Sequence, residues 1–258
     1  MRLGVSYNIF DGEELLEGSI KCIRDHVDFI SVVYQQISNF GNASNPRLTD
    51  FLNDLKIKGL VNEVYNYKPN IGAGGHQNEI NKRNIGLYLS EGANCTHHMS
   101  MDSDEYYVVD EFKKMKADIE LNDFDSSACQ MLTYYHDFET ILDPPEDYYV
   151  SLIYKIRKGI NFTLGNPFPV LIDPTRSMTA GKCVTYNRET IQMHHMTGVR
   201  KNYREKLINS SASVNFKDQI DSLVSYFDNW KYPMKALMPG LPPKYYNVIK
   251  IKNNFRAK

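Results

Sequence analysis

Two aspartates separated by one residue could bind a divalent cation. Asp102 and Asp104 belong to an acidic run, DSDE, that follows a stretch of modest polarity beginning at Cys95. In an extended backbone, residues i and i+2 point to the same side, so the two carboxylates would meet at one point. Mg²⁺ and Mn²⁺ prefer oxygen ligands and usually keep positions open for phosphate oxygens. The spacing predicts a metal site, although Asp-x-Asp also occurs in solvated turns.

The chain before these aspartates alternates between strand-like and helical patterns. Residues 1–9, 27–34 and 60–67 are rich in β-branched and aromatic residues, which favours strands. Apolar residues at helical spacing fill the segments between them. This alternation predicts an α/β fold, in which a mostly parallel, twisted sheet carries helices on both faces. Ligands of such sheets lie at the carboxyl ends of the strands, where Asp102 and Asp104 are expected.

A glycine-rich segment and a basic helix precede the fourth strand. Residues 72–75 could present backbone N–H groups to phosphate, although they lack the G-x-G-x-x-G spacing and a plain turn explains them as well. The helix predicted over residues 78–90 carries Lys82 and Arg83, which could meet a diphosphate or simply form a solvated face.

Capping residues predict a helix in the second half of the chain. Asp143, two prolines and Glu146 form a capping box, and apolar residues follow at i, i+4 spacing. This interpretation places Asp147 in the first turn of a helix. There it could either complement the helix dipole or take part in chemistry.

A histidine pair follows the strand predicted over residues 184–193. His194 and His195 precede a basic cluster that includes Arg200. A neutral imidazole is a common metal ligand, so we expect one of the two histidines to bind a metal.

Composition restricts the class of protein. The 258 residues are 42% hydrophobic and carry a net charge of -1, which fits a globular protein and gives no electrostatic basis for nucleic-acid binding. Four scattered cysteines predict neither disulfides nor a zinc site. Without a signal peptide or a long apolar run, we expect a cytoplasmic protein with at most peripheral contact at the inner face of a membrane. Residues 210–258 are predicted to form a helical, proline-rich extension on the domain of residues 1–209.

Several segments, in this order, resemble the bacterial family-2-like glycosyltransferases of GT-A fold. The segments are YNIFDGEE at residues 7–14, KRNIGL at 82–87, the Asp-x-Asp at 102–104, VLIDPTR at 170–176, MHHM at 193–196 and VRKN at 199–202. The resemblance covers about residues 2–209. It implies an enzyme that moves a sugar from a nucleoside diphosphate sugar to a saccharide or glycolipid acceptor, in surface polysaccharide or glycoconjugate synthesis.

The resemblance also implies roles for individual residues. Asp102 and Asp104, with His195 or His194, would hold Mn²⁺ or Mg²⁺ on the diphosphate. The residues expected at the nucleoside are Asn8, Asp11 and Gln35, and those expected at the phosphates are Arg83, Lys182 and Arg200. Tyr34, Gln35 and Gln36 stand where family members often have an aspartate, so the base is not inferred.

Inversion at the sugar would require a carboxylate that accepts the proton of the acceptor hydroxyl. Asp147 is the first candidate by its resemblance to the family's base position, and Asp137 and Asp173 are rivals. If none of them is a base, the enzyme could be retaining.

Three other functions are compatible with parts of the sequence. A nucleotidyltransferase acting on a sugar phosphate would favour a basic, glycine-rich first turn, whereas residues 8–12 are acidic. A metal hydrolase could use His97 and His98 with His194 and His195, but neither pair has the i, i+4 spacing of helical ligands. A catalytically inactive binding module of the same fold would bind the nucleotide sugar without transfer.

Overall fold

The computed structural model describes residues 1–178 and 181–255 of the chain. Within those residues there are six α-helices and twelve β-strands, with short 3-10 turns between them. The helices are α1 (Glu13–Ile23), α2 (Leu48–Ile57), α3 (Gly75–Gly92), α4 (Val109–Asn122), α5 (Tyr203–Asn209) and α6 (Ile220–Asp228). The strands are β1 (Leu3–Ile9), β2 (Phe29–Tyr34), β3 (Glu63–Asn66), β4 (His97–Asp102), β5 (Glu105–Tyr106), β6 (Ser126–Tyr135), β7 (Thr140–Asp143), β8 (Tyr149–Lys155), β9 (Cys183–Tyr186), β10 (Gln192–Gly198), β11 (Ala236–Met238) and β12 (Lys244–Lys250).

Four parallel strands form the centre of the sheet, in the order β3-β2-β1-β4. Strand β1 lies between β2 and β4, and all seven of its residues are buried. Burial on both faces is typical of a parallel strand covered by crossover helices. The register aligns Asn8 with Asp102, so the carboxyl ends of β1 and β4 lie at the same edge. The prediction of an α/β fold with a mostly parallel central sheet is confirmed.

The sheet continues beyond β4 with β8, which pairs antiparallel with both β4 and β6. Strand β6 therefore runs in the same direction as β4. Strand β10 is parallel to β6, and His195 of β10 pairs with Glu105 of β5. This pairing brings the end of β10 to the turn that carries Asp104, although the two are far apart in sequence.

Strand β8 replaces the helix predicted after the capping box at residues 143–146, and that prediction is wrong. Residues 150–154 are all buried, because β8 lies inside the sheet with a partner on each side. Pairing satisfies the backbone groups along both of its edges, and its tyrosine, valine and isoleucine side chains suit a buried strand. These tertiary contacts outweigh the local capping preference. Asp147 consequently lies in the segment before β8 and not at a helix N-terminus.

The C-terminal segment packs on β6 and β7 through its own apolar cluster. Leu223 and Phe227 of α6 pack with Tyr135 of β6 and Leu142 of β7. Strand β12 of this segment lies between β11 and β7 and pairs antiparallel with both. None of the helices in the described residues combines the length and apolar composition needed to span a bilayer.

Helix α3 lies close against β1 because glycine faces serine at their contact. A methyl group on Gly86 would overlap the side chain of Ser6, and Gly4 has the same relation to Ser90. The helix carries Arg83 to the carboxyl end of β4, where its Nη1 donates a hydrogen bond of 2.8 Å to Ser100 Oγ. Close packing of α3 thus fixes the position of a buried cation.

We predict that Gly86→Ala lowers the free energy of unfolding by about 1–3 kcal/mol, because the added methyl group forces α3 and β1 apart. Gly92→Ala is the matched control at the end of the same helix, where nothing outside the helix lies within 4 Å of the added group. The control should be neutral or gain up to about 1 kcal/mol. Chemical denaturation measures both variants, and equal effects would contradict the close contact.

Candidate functional site

The acidic run after β4 forms a turn and not an extended strand end. Strand β4 ends at Asp102, Ser103 and Asp104 form the turn, and β5 begins at Glu105. The extended backbone predicted for Asp102 to Asp104 is therefore wrong, since Ser103 and Asp104 lie in a turn. Each aspartate meets a different set of cations, yet both line the same cavity.

Asp102 is paired with two arginines from distant segments. Its Oδ2 lies 2.6 Å from Arg176 Nη2, and its Oδ1 lies 3.6 Å from Arg83 Nη1. Both arginines are buried, whereas 37% of the Asp102 side chain is exposed. Burial on its own would raise the pKa of Asp102, but the two guanidinium groups lower this pKa to about 2. Asp102 is therefore ionised at neutral pH.

Asp104 is paired with cations that follow β10. Arg200 donates to Asp104 Oδ2, and Lys206 Nζ lies 2.9 Å from the same oxygen. Although burial favours the neutral acid, Lys206 and Arg200 hold the pKa of Asp104 well below its ordinary value. Lys206 is presented by α5, whose first turn is capped by the Asn202 side chain accepting from Glu205 N at 3.0 Å.

Arg200 lies against the start of α1, where a glycine leaves room for its guanidinium group. Gly12 has a φ of 75°, which favours glycine, and a methyl group there would overlap the Arg200 guanidinium. Nη1 of Arg200 is 3.6 Å from Asp11 Oδ1, and among the described residues Nε and Nη1 have no hydrogen-bond partner. Buried donors without partners are costly, and an anion in the cavity that accepted hydrogen bonds from them would relieve the cost.

Arg176 is shared between two carboxylates. It pairs with Glu105 as well as with Asp102. Asp102 ends β4, Glu105 begins β5, and Arg176 belongs to the 3-10 turn Pro174–Arg176. Burial raises the pKa of Glu105 to about 7. Arg176 opposes this rise, but it shares its single charge with Asp102, whose negative charge raises the pKa of Glu105 further. Asp173 adjoins the same group, with its Oδ2 3.6 Å from both Arg176 Nε and Arg83 Nη2.

A cavity of about 330 Å³ opens between these charged groups. Its walls come from the ends of β1 and β4, the first half of α3, the 3-10 turn Pro174–Arg176 and the segment from α5 to residue 212. The volume lies at the lower end of the range for small-molecule sites. Its position at the carboxyl ends of parallel strands is where such folds bind ligands.

Most of the predicted site residues meet here. Those that line the cavity are Asn8, Asp11, Arg83, Asp102, Asp104 and Arg200. His195 adjoins them, with its Nε2 3.8 Å from Asp104 Oδ2. Burial lowers the pKa of His195 to about 4, so its imidazole is neutral at physiological pH.

The structure does not bring His194 to the aspartates. Adjacent residues of a strand point to opposite faces, so only one of the two histidines can face Asp104. His194 Nδ1 lies 2.8 Å from the hydroxyl of Tyr134, and its ring packs edge-on against Phe255.

Three further predicted residues lie outside the cavity. Lys182 precedes β9 at the amino end of β6, which is the opposite edge of the sheet, and its Nζ donates to Asn122 O at 2.8 Å. Lys182 is therefore not among the residues that line the cavity. Gln35 is buried at the end of β2 and donates to Ile37 O at 2.7 Å. Asp147 is exposed, and its described partner is Gln130 Nε2 at 3.4 Å.

Sequence reasoning missed Arg176, Lys206 and Glu105 as members of the site. Arg176 follows Asp173 and Pro174, whose capping pattern predicts a short turn. That pattern does not predict where the arginine side chain points. Lys206 belongs to the basic cluster after β10, and the spacing of buried Tyr203 and Leu207 could have placed α5 with one face inward. Only the fold shows that this helix lies beside Asp104.

The donor chemistry of the site fits a hard divalent cation that a bound phosphate helps to hold. Among the described residues, no three His, Cys, Asp or Glu side chains form a complete metal site. Mg²⁺ is nevertheless commonly bound by one or two carboxylates together with substrate phosphates. Asp102 and Asp104 would supply those carboxylates, with neutral His195 beside Asp104.

Asp104→Asn should lower stability at neutral pH by about 3 kcal/mol, because it removes the nearest carboxylate partner of the buried Arg200. Since the folded-state pKa of Asp104 is depressed, the wild-type advantage is complete above about pH 4 and is lost as the pH falls further. The difference in unfolding free energy between wild type and variant should therefore shrink in acid. Asp110→Asn, at an exposed carboxylate, is the control and should show no such difference. A constant difference down to acid pH would contradict the pairing.

Comparisons with known proteins support the fold. No protein-family model matches the sequence, and no curated protein matches it. A crystal structure of S. aureus TarS residues 1–349 is similar with a TM-score of 0.50 and 15% identity, covering 89% of this chain and 72% of that chain. This TarS fragment has also been crystallised with UDP and with UDP-GlcNAc.

Two larger structures are also similar at lower scores. The chain spans 44% of a longer TarS structure (14% identity, 90% of this chain, TM-score 0.48) and 52% of GalNAc-T7 with UDP, GalNAc and Mn²⁺ (12% identity, 90% of this chain, TM-score 0.45). At these identities the likeness concerns the fold alone. The chain has a mixed α/β fold of the GT-A type, with a mostly parallel central sheet and helices, as the sequence predicted.

Proposed function

We propose that this protein is a glycosyltransferase that moves a sugar from a nucleoside diphosphate sugar to a hydroxyl acceptor. The observation that carries the proposal is the cavity at the carboxyl ends of β1 and β4, where Arg83, Arg200 and Lys206 surround two ionised aspartates. The GT-A type of fold agrees with it. A saccharide or glycolipid acceptor of surface polysaccharide or glycoconjugate synthesis follows from the sequence resemblance.

The cations provide the site with affinity for a diphosphate. Arginine and lysine are the side chains that bind phosphate oxygens most strongly. Lys206 is the most accessible of the three, since 27% of its side chain is exposed, against 2% for Arg83 and 3% for Arg200. Asn8 and Asp11, at the end of β1, lie on the same cavity and are proposed to contact the nucleoside.

The same cations would assist breaking of the sugar-phosphate bond. As the bond breaks, negative charge develops on the departing nucleoside diphosphate, and preorganised positive groups stabilise it. The side chains of Arg83 and Arg200 are buried and ion-paired, so they do not need to reorganise. A divalent cation, when bound to Asp102 and Asp104, supplies Lewis-acid stabilisation of the same charge.

Asp173 is the carboxylate best placed to accept the proton of the acceptor hydroxyl. It lines the cavity, whereas exposed Asp147, the first sequence candidate, lies outside its lining. Asp137 also lies outside the lining, where Lys250 Nζ at 2.6 Å and Thr140 Oγ1 at 2.8 Å engage it. We therefore place Asp173 before Asp147 as the base of an inverting reaction.

Binding of the donor is tested by thermal unfolding with a panel of nucleoside diphosphate sugars that begins with UDP-GlcNAc. At 100 times the dissociation constant, a ligand should stabilise the protein by about 2.7 kcal/mol. Arg83→Met should abolish the shift, and Arg24→Met, which removes an arginine remote from the cavity, should keep it. If no nucleotide sugar in the panel stabilises the native protein, the proposed function is wrong.

Asp173→Asn should reduce the rate of transfer by about 10²–10⁴-fold while the thermal shift with donor is retained. Asparagine is as good a helix cap as aspartate, so the turn Pro174–Arg176 should be preserved. Asp147→Asn is the matched control and should be nearly neutral. The opposite pattern, a large loss with Asp147→Asn alone, would assign the base to Asp147.

A further inference from the structure

We propose that Lys206 acts as an internal cation on Asp104 and thereby makes binding of a divalent metal depend on binding of the diphosphate. This inference rests on the proposed function, since it concerns the same site. In the free protein Lys206 forms an ion pair with Asp104. When a diphosphate is bound, Lys206 pairs with the phosphate oxygens instead, and the Asp104 carboxylate becomes available to bind the metal.

Of the two cations on Asp104, Lys206 is the one that can move. Arg200 is 3% exposed, lies over Gly12 and also faces Asp11. Lys206 is 27% exposed, and among the described residues its Nζ pairs with Asp104 Oδ2 at 2.9 Å. Its four-carbon side chain carries three donors on a flexible stem, so it can change partner without a change in the backbone.

The new partner would be reached within the same cavity. Lys206 lines the 330 Å³ cavity together with Arg83 and Asp102, and it also lines an adjoining cavity of about 450 Å³. A diphosphate that entered the first cavity would present its oxygens to Lys206. The ammonium group then exchanges one anionic oxygen for another and is not left unpaired.

Charge balance supports coupling of the two ligands. The carboxylates that line the cavity are Asp11, Glu79, Asp102, Asp104 and Asp173, with Glu105 beside them, and the cations paired with this set are Lys82, Arg83, Arg176, Arg200 and Lys206. Each of Asp102 and Asp104 already has two cations. A divalent ion arriving alone meets the repulsion of Lys206 and Arg200, and a diphosphate arriving alone competes with the aspartates for those cations. Arriving together, each ligand offsets the charge of the other, so each should raise the affinity for the other by the same factor.

The test measures the affinity for Mn²⁺ from the electron paramagnetic resonance signal of the free ion, with and without UDP, after correction for protein-free Mn²⁺-UDP mixtures. In the wild type, UDP should raise the affinity for Mn²⁺ by at least tenfold, within the usual range of coupling. Lys206→Met should bind Mn²⁺ about tenfold more tightly than wild type without UDP, and the effect of UDP should become smaller.

Two further variants make the test specific. Lys206→Arg keeps the positive charge and should keep the weak affinity for Mn²⁺ in the absence of UDP. Arg204→Met removes a cation from the same helix that pairs with Asp221, away from the cavity, and should behave as wild type. Thermal unfolding of each variant verifies that it is folded.

The outcomes separate this inference from the proposed function. If UDP binds and promotes Mn²⁺ binding equally in wild type and Lys206→Met, the role of Lys206 is wrong and the proposed function stands. If Lys206→Met binds Mn²⁺ no more tightly than wild type in the absence of UDP, the competition is likewise disproved. If no nucleoside diphosphate of the donor panel, UDP included, binds to any variant with or without Mn²⁺, the proposed function fails and this inference fails with it.

Discussion

Pairing of acidic and basic side chains at the carboxyl end of β4 is the constraint on which the site depends. Asp104, Glu105, Arg83, Arg176 and Arg200 are all buried, and a buried charge is tolerated only when it is paired. Removing one partner would leave the other uncompensated. The fold must therefore bring three separate segments to this turn, and the cavity lies where they converge.

A different local structural feature positions each cation at the turn. Arg83 depends on the close approach of α3 to β1, which glycine at position 86 allows. Arg176 depends on the turn capped by Asp173, and Arg200 depends on the left-handed backbone of Gly12. Changes distant from the cavity should consequently alter its charge arrangement. A cluster built in this way is rigid in its arginines and adaptable at its one accessible lysine.

The parts of this arrangement that local sequence determines were predictable. Alternating strands and helices gave the parallel sheet, and the position of Asp102 after a strand gave its place at the sheet edge. The helix predicted at residue 143 failed because pairing of β8 on both edges is a tertiary effect that capping residues do not report. Lys182 was expected at the phosphates but lies at the other end of the sheet, because a basic residue in sequence carries no information on which end it occupies. Lys206 was missed for the related reason that the partner of α5 is more than ninety residues earlier in the chain.

The most direct measurement is a crystal structure of the protein grown with UDP and Mn²⁺. The account predicts a diphosphate in the cavity between Arg83 and Lys206, with the metal on Asp102 and Asp104 and the ammonium group of Lys206 turned from Asp104 to a phosphate oxygen. A diphosphate bound elsewhere on the protein, or a cavity that stays closed by unchanged ion pairs while UDP is bound, would contradict it.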